Sequence, residues 1–286
     1  MVVPCRAEDF VHWQLRRRAR RPQLKRDPLG SFTQVLMQWL QLENRARAQL
    51  RSDLAQFGRL ARATHDLIGA AVATGTRGRT DVPGHAARVQ ARLLLRLYHD
   101  LRVIELAAAR SYSLQALSLA ANIFELSHAV AYVGTSPQRA QAWEHHQNTR
   151  QTYPSLRQRR DAIKATLSVA NPGIPNIERA IDAQEKLYSV LCMAKHGNPI
   201  VLRGFGVTTA KDTTRFYHGP FVARYIVRQC RFALFQSARM AAAATMVFVA
   251  PLLDGAPLKI RRRYRTVERR VVRLLDALSP HALEPR

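Results

Sequence analysis

The quintet Lys195-His196-Gly197-Asn198-Pro199 ends a segment in which Cys192 and His196 stand four residues apart. On a helix that spacing lays a thiol beside an imidazole, which is what a cysteine nucleophile needs from its base. The commoner meaning of the same pattern is a core cysteine beside an ordinary helix stop: His in the last turn, Gly just past it, Pro two residues on. Glu125 and His128, three apart in NIFELSHAV, are a second pair able to share a proton or a metal. A charged pair inside an apolar helix is more often satisfied by partners in the core. Glu144, His145 and His146 are consecutive, and neighbouring side chains on a helix point about 100° apart, so the two histidines cannot chelate alone. RGFGVTTAK, residues 203–211, has the glycines of a phosphate loop without its Gly-Lys-Ser/Thr ending or a preceding strand, and is set aside. Glu125 and His196 remain as the candidate catalytic pair. Each interrupts an apolar helical stripe, and the two are expected to meet across packed helices. No metal or cofactor is expected.

Charge points elsewhere. The 286 residues carry 45 Lys plus Arg, of which 39 are Arg, against 20 Asp plus Glu, a formal net charge of +25. Codon bias accounts for arginine in place of lysine but not for the shortage of acids. A surface so unbalanced repels itself unless an anion lies near it. Nucleic acid is the commonest such partner, anionic lipid the next, and an acidic protein a third. The densest basic stretch is 258–278, with eight cations and two acids, Glu268 and Asp276. There Ile260, Tyr264, Val267, Val271, Leu274 and Leu278 mark an apolar stripe at helical spacing. Arg261, Arg262, Arg265, Arg269 and Arg273 lie between them and are the candidate nucleic-acid-binding residues. A solvated outer face is the plainer meaning of a charge run, but this face has almost no acid to pair with.

The elements that must position these groups are helical. Ser31 with Gln34 reads as a capping box, followed by an apolar pattern running through Leu50 and Phe57 to Ile68. Residues 74–84 are a loop by their Gly, Pro and Thr content. From 86 to 133 there is no Gly or Pro, so one very long helix or two abutting ones are expected. Ser136-Pro137 restarts a helix, with Ser136 as N-cap. Asn176 caps another, along which Ile177, Ile181, Leu187, Tyr188, Leu191 and Ala194 recur on one face. A long helix is expected from Pro220 and a basic one over about 258–278. No strand alternation and no internal repeat emerges. The expectation is an all-α, multi-helix bundle of seven to nine helices, with residues 1–30 a basic N-terminal arm and 31–286 a single domain.

Cys5, Cys192 and Cys230 are an odd set without Cys-x-x-Cys spacing, which argues against a disulfide framework or a thiolate zinc site. The arginines at 16–18 and 20–21 interrupt any signal-peptide core. The longest apolar run, Met240 to Leu253, is shorter than the roughly 20 residues of a membrane span. A cytoplasmic protein is the expected reading, with membrane association disfavoured.

SLQALSLAANIFELSHAVAYVGTSPQRAQAW, followed by LYSVLCMAKHGNPIVL, resembles a family of bacterial all-helical proteins of unknown function. Glu125, Tyr132-Val133, Pro137, Tyr188, Cys192, His196, Asn198 and Pro199 fill that family's places, over about residues 85–210. Where the family often has an Arg one turn before the Glu, this chain has Ala120 and Ala121. The family is in turn similar to the HEPN superfamily of helical ribonucleases and nucleotide-binding proteins from toxin-antitoxin and phage-defence systems. That resemblance implies contact with RNA or nucleotide, with a stress- or defence-associated ribonuclease as its enzymatic form. HEPN nucleases pair Arg with His on one helix. Arg59/His65, Arg139/His145 and, two turns apart on one face, Arg92/His99 are pairings of that kind. With 39 arginines such pairings are frequent by chance, so they do not establish a nuclease.

Two functional classes therefore stand. One is a basic protein that binds nucleic acid, RNA foremost. The other is a non-enzymatic interaction or structural module whose basic surface is solvated.

Overall fold

The computed structural model describes residues 28–76, 84–145, 156–170, 173, 175–196, 207–210, 213–216, 220 and 222–283. The fold is an all-α, multi-helix bundle. Among the described residues there are nine α-helices. They are α1 (Pro28–Leu50), α2 (Ala55–Thr76), α3 (His85–Ala109), α4 (Ser113–Gly134) and α5 (Pro137–Glu144). Then come α6 (Leu156–Ala170), α7 (Ile177–Lys195), α8 (Arg224–Val249) and α9 (Leu258–Leu283). One antiparallel hairpin, β1 (Val207–Ala210) and β2 (Thr213–Phe216), pairs Val207 with Phe216 and Ala210 with Thr213. The sequence showed no strand pattern because each strand has four residues, too short for alternation to register. The β-branched run Val-Thr-Thr with Thr-Thr on the other side favours the pleat.

Punctuation explains most boundaries. Helix α1 begins at Pro28 rather than Ser31, since proline's fixed φ and missing N–H suit a first helical turn. The pattern that ran unbroken to Ile68 is two helices, separated by turn residues 51–54. The stretch without Gly or Pro is also two helices. Its break is at Arg110–Tyr112, where Ser111 takes a left-handed φ of 70°. The Tyr112 and Arg110 N–H groups both fold back onto the Ala107 carbonyl, ending α3 without a glycine. Ser136 accepts from the Arg139 N–H at 3.1 Å and Asn176 from the Arg179 N–H at 2.9 Å, the caps their positions predict. Helix α8 starts at Arg224, four residues after the expected Pro220. The expected basic arm falls mostly on residues 1–27, which lie outside the described residues.

Helices α4 and α8 form the centre. Helix α4 packs on α3, α8, α7 and α6, while α8 also packs on α2, α3, α6 and α9. Phe124, Ile123, Phe248, Leu67 and Leu94 are fully buried between them and their neighbours. At Gly75 the Phe248 ring lies so near α2 that a Cβ would stand 2.8 Å from it. Both central helices are long and apolar enough to cross a membrane, with mean hydropathy of 1.3 and 1.4, yet 72% of each window is buried within the bundle. The longest uninterrupted apolar run understated this, because Arg239 cuts the run in α8 and Glu125 and His128 cut it in α4, whereas the mean over a whole helix-length window tolerates such single polar residues. Helix α1 packs lightly on α3 and is fastened by a polar clamp. Tyr112 donates to Glu43 at 2.7 Å, Trp39 donates to the Tyr112 hydroxyl at 2.6 Å, and Arg110 pairs with Glu43 at 3.0 Å.

Candidate nucleic-acid interface

Helix α9 docks by the stripe its sequence marks. Tyr264, Val271 and Leu278 are buried, and Val267 and Leu274 pack partly covered against the core. Helix α9 lies against α2 and α8, with Arg270 reaching Asp66 at 3.8 Å. Arg262, Arg265, Arg269 and Arg273 are exposed, and Arg261 is partly buried. Of the five, the fold brings three together. Arg265, Arg269 and Arg273, one turn apart, line a groove of about 760 Å³ with Val272, Asp254 and Glu268. Arg265 pairs with Glu268 at 2.7 Å. The Nε groups of Arg269 and Arg273 donate to the carbonyls one turn back, at 3.2 and 3.3 Å. Arg261 and Arg262 do not line that groove.

A second basic groove was missed. It also measures about 760 Å³ and lies among α1, α2 and α3, lined by Arg47, Arg51, Arg59 and Arg62 with Glu105 as its carboxylate. Glu105 is already shared by Arg62 at 3.4 Å and Arg102 at 2.5 Å. Asp53, the acid nearest in sequence, is taken by Arg231 at 2.6 Å. Arg47, Arg51 and Arg59 make no ion pair among the described residues. The signal was present: residues 45–62 hold five arginines and one acid. It was overlooked because the arginines are split between two helices and the turn joining them.

The candidate catalytic residues Glu125 and His196 lie on neighbouring helices with no hydrogen bond between them among the described residues. Helices α4 and α7 do pack against each other. The Glu125 carboxylate, however, is met by Tyr188, whose hydroxyl donates at 2.5 Å, and by Lys195, whose ammonium donates to its two oxygens at 3.0 and 3.1 Å. His196 is the C-cap of α7, with its N–H on the Cys192 carbonyl at 2.9 Å and its ring exposed. It is outside the Glu125 contact set. Burial first, then hydrogen bonds with Cys192 and Glu125, push the Tyr188 phenol far above its ordinary range. The ring stacks on Phe124, centroids 4.7 Å apart. His128 is buried, its Nδ1 2.7 Å from the Phe124 carbonyl. Gly197, Asn198 and Pro199 lie outside the described residues.

In two of the three Arg/His pairings the arginine, Arg92 or Arg139, is engaged in other contacts; in the third it is His65 that is engaged. Arg92 pairs with Glu144 at 2.5 Å, and His99 meets the edge of the Tyr98 ring. The Tyr98 ring also lies against His65, centroids 4.6 Å apart, whose pKa burial lowers from 6.5. Arg139 lies over the Tyr132 ring at 4.8 Å. Among the described residues no three His, Cys, Asp or Glu converge as a metal site requires. Comparison of the chain with protein-family models, with curated proteins and with solved structures found no match.

Proposed function

We propose that the protein binds the sugar-phosphate backbone of nucleic acid, RNA foremost, without reading its sequence. The observation that carries this is the groove among α1, α2 and α3, where Arg47, Arg51 and Arg59 are exposed around one carboxylate already shared by two other arginines. Guanidinium groups with no acid to pair with are matched by phosphate oxygens, which they bind bidentately. The α9 groove adds Arg265, Arg269 and Arg273. The preference for RNA rests on the resemblance to HEPN-like helical proteins. Binding alone is proposed. Glu125 is held by Tyr188 and Lys195, and His196 is turned to solvent, so no cleavage step is assigned.

Fluorescence anisotropy with a labelled single-stranded RNA and a DNA duplex, over a salt series, tests the reading. Replacing Arg47, Arg51 and Arg59 with Gln is expected to weaken binding. It should also flatten the salt dependence by about 0.7 log units per lost phosphate contact on a single strand, and about 0.9 on a duplex. The same readout with Arg262, Arg265, Arg269 and Arg273 replaced by Gln measures the share of α9. If neither folded variant differs from the parent, the charge is surface solvation and the protein is an interaction module instead.

A further inference from the structure

Adjoining the α9 groove, with which it shares Met246 and Val272, five helices line a cavity of about 420 Å³. It is walled by α4, α6, α7, α8 and α9, and its surface is mostly hydrocarbon, including Ile163, Leu167, Phe235, Met246, Val272 and Leu275. Arg239 of α8 projects into it. The residue is partly buried, its Nε is shut off from solvent with no hydrogen-bond partner, and no carboxylate among the described residues pairs with it. Burial alone pulls this guanidinium below its ordinary pKa. Drawing a guanidinium partly out of water with no carboxylate hydrogen-bonded to it is costly, and an anion that hydrogen-bonds to it offsets that cost. A second unmet group lines the same space: the Gln184 Oε1 is buried and accepts from nothing.

We propose that this cavity binds a small organic carboxylate with an apolar body, its carboxylate on Arg239 and a hydroxyl or N–H of the same molecule donating to Gln184. The planar fork of a guanidinium donates two parallel hydrogen bonds to a carboxylate. The hydrocarbon walls take the remainder of the ligand, and the volume lies in the small-molecule range. Asp276 is an exposed carboxylate among the lining residues. Its charge opposes a second negative charge on the ligand, which disfavours the phosphate dianion, while the hydrocarbon walls favour a carboxylate with an apolar body over the small phosphate monoanion.

The test uses the full-length protein and four probes: octanoate, 4-phenylbutyrate, the matching alcohols, and inorganic phosphate. Thermal denaturation and calorimetry are expected to show both carboxylates raising Tm and binding saturably, with the alcohols and phosphate giving neither. A bound ligand that prefers the native state raises Tm by mass action. Arg239→Met, which keeps the length and fills the space with an apolar group, should weaken octanoate binding at least tenfold. Asp276→Asn should tighten it. Probes bearing a hydroxyl, such as 8-hydroxyoctanoate, should bind more tightly than octanoate, a gain that Gln184→Leu removes. Equal binding of alcohol and acid, or unchanged octanoate affinity in a folded Arg239→Met protein, overturns the proposal. So does the absence of any carboxylate effect on the parent. RNA binding by Arg239→Met should match the parent.

Discussion

Glu125 is a tie between helices. It lies on α4 at a place where an apolar side chain would be expected, and two groups of α7, about two turns apart, close on its carboxylate. Glu125 and Lys195 are each partly open to solvent, 39% and 29% exposed, so their ion pair is screened. The Tyr188 hydrogen bond is the more sheltered contact. Tyr188→Phe is therefore expected to destabilise the fold by about 1 kcal/mol, and Lys195→Met by less. Urea denaturation of the two variants gives the order, and the reverse order would place the weight on the ion pair. The sequence marked Glu125 as a polar residue needing a partner on α7, and also marked Tyr188 and the end of that helix. It did not say which end residue reaches across. Lys195 and His196 differ by one position, about 100° around the helix axis, and that rotation decides the partner.

At the scale of elements, the crossing of α3 and α4 is set by a side chain and a missing one. Gln90 of α3 is buried and donates to the Val130 carbonyl at 2.8 Å. Gly134 gives the Gln90 amide its room, since a Cβ there would collide with it. Gly134→Ala is expected to cost about 1–3 kcal/mol, through overpacking and displacement of that hydrogen bond. Gln90→Leu combined with Gly134→Ala should not show the sum of the two separate losses, because both act on one contact. Chemical denaturation of the three variants checks this. Helix existence, the caps at Ser136 and Asn176 and the buried stripe of α9 were legible because each depends on residues within a few positions. The break at Ser111 was not, since it has no glycine and is held by the distant contacts of Tyr112 with Trp39 and Glu43. The arginine groove escaped for a similar reason: tertiary packing assembles it from separate elements.

Over the whole molecule, proton linkage should show most clearly on the alkaline side. Burial raises the Cys230 thiol from 9.0 to about 12. Burial and a hydrogen bond to Glu43 raise Tyr112 from 10.0 to about 12. Tyr188 and Tyr264 are displaced upward too, chiefly by burial. In each case the unfolded chain loses its proton first. The stability these groups lend is complete below the unfolded values and is lost as pH rises through 9 to 12. Urea midpoints are expected to hold up to about pH 8.5 and fall steadily above it. Cys230→Ala should delay the onset to the tyrosine range, near 10. A midpoint that stays level through this window would contradict the burial of these groups.

The packing of α9 on α2 carries a consequence for how the chain is made. Helices α3 and α4 are neighbours in the sequence and can pair as soon as they leave the ribosome. Helix α2 cannot finish its packing so early, because it waits for α8 and α9, which are synthesised well after it. Until then an apolar flank that includes Leu60, Leu67 and Ile68 lacks part of its cover. Contacts between distant parts of a chain form late, and an uncovered apolar helix invites wrong partners in the meantime. A nascent chain stopped before residue 258 would therefore be a substrate for chaperones, and release of α9 is the event that covers this flank of α2.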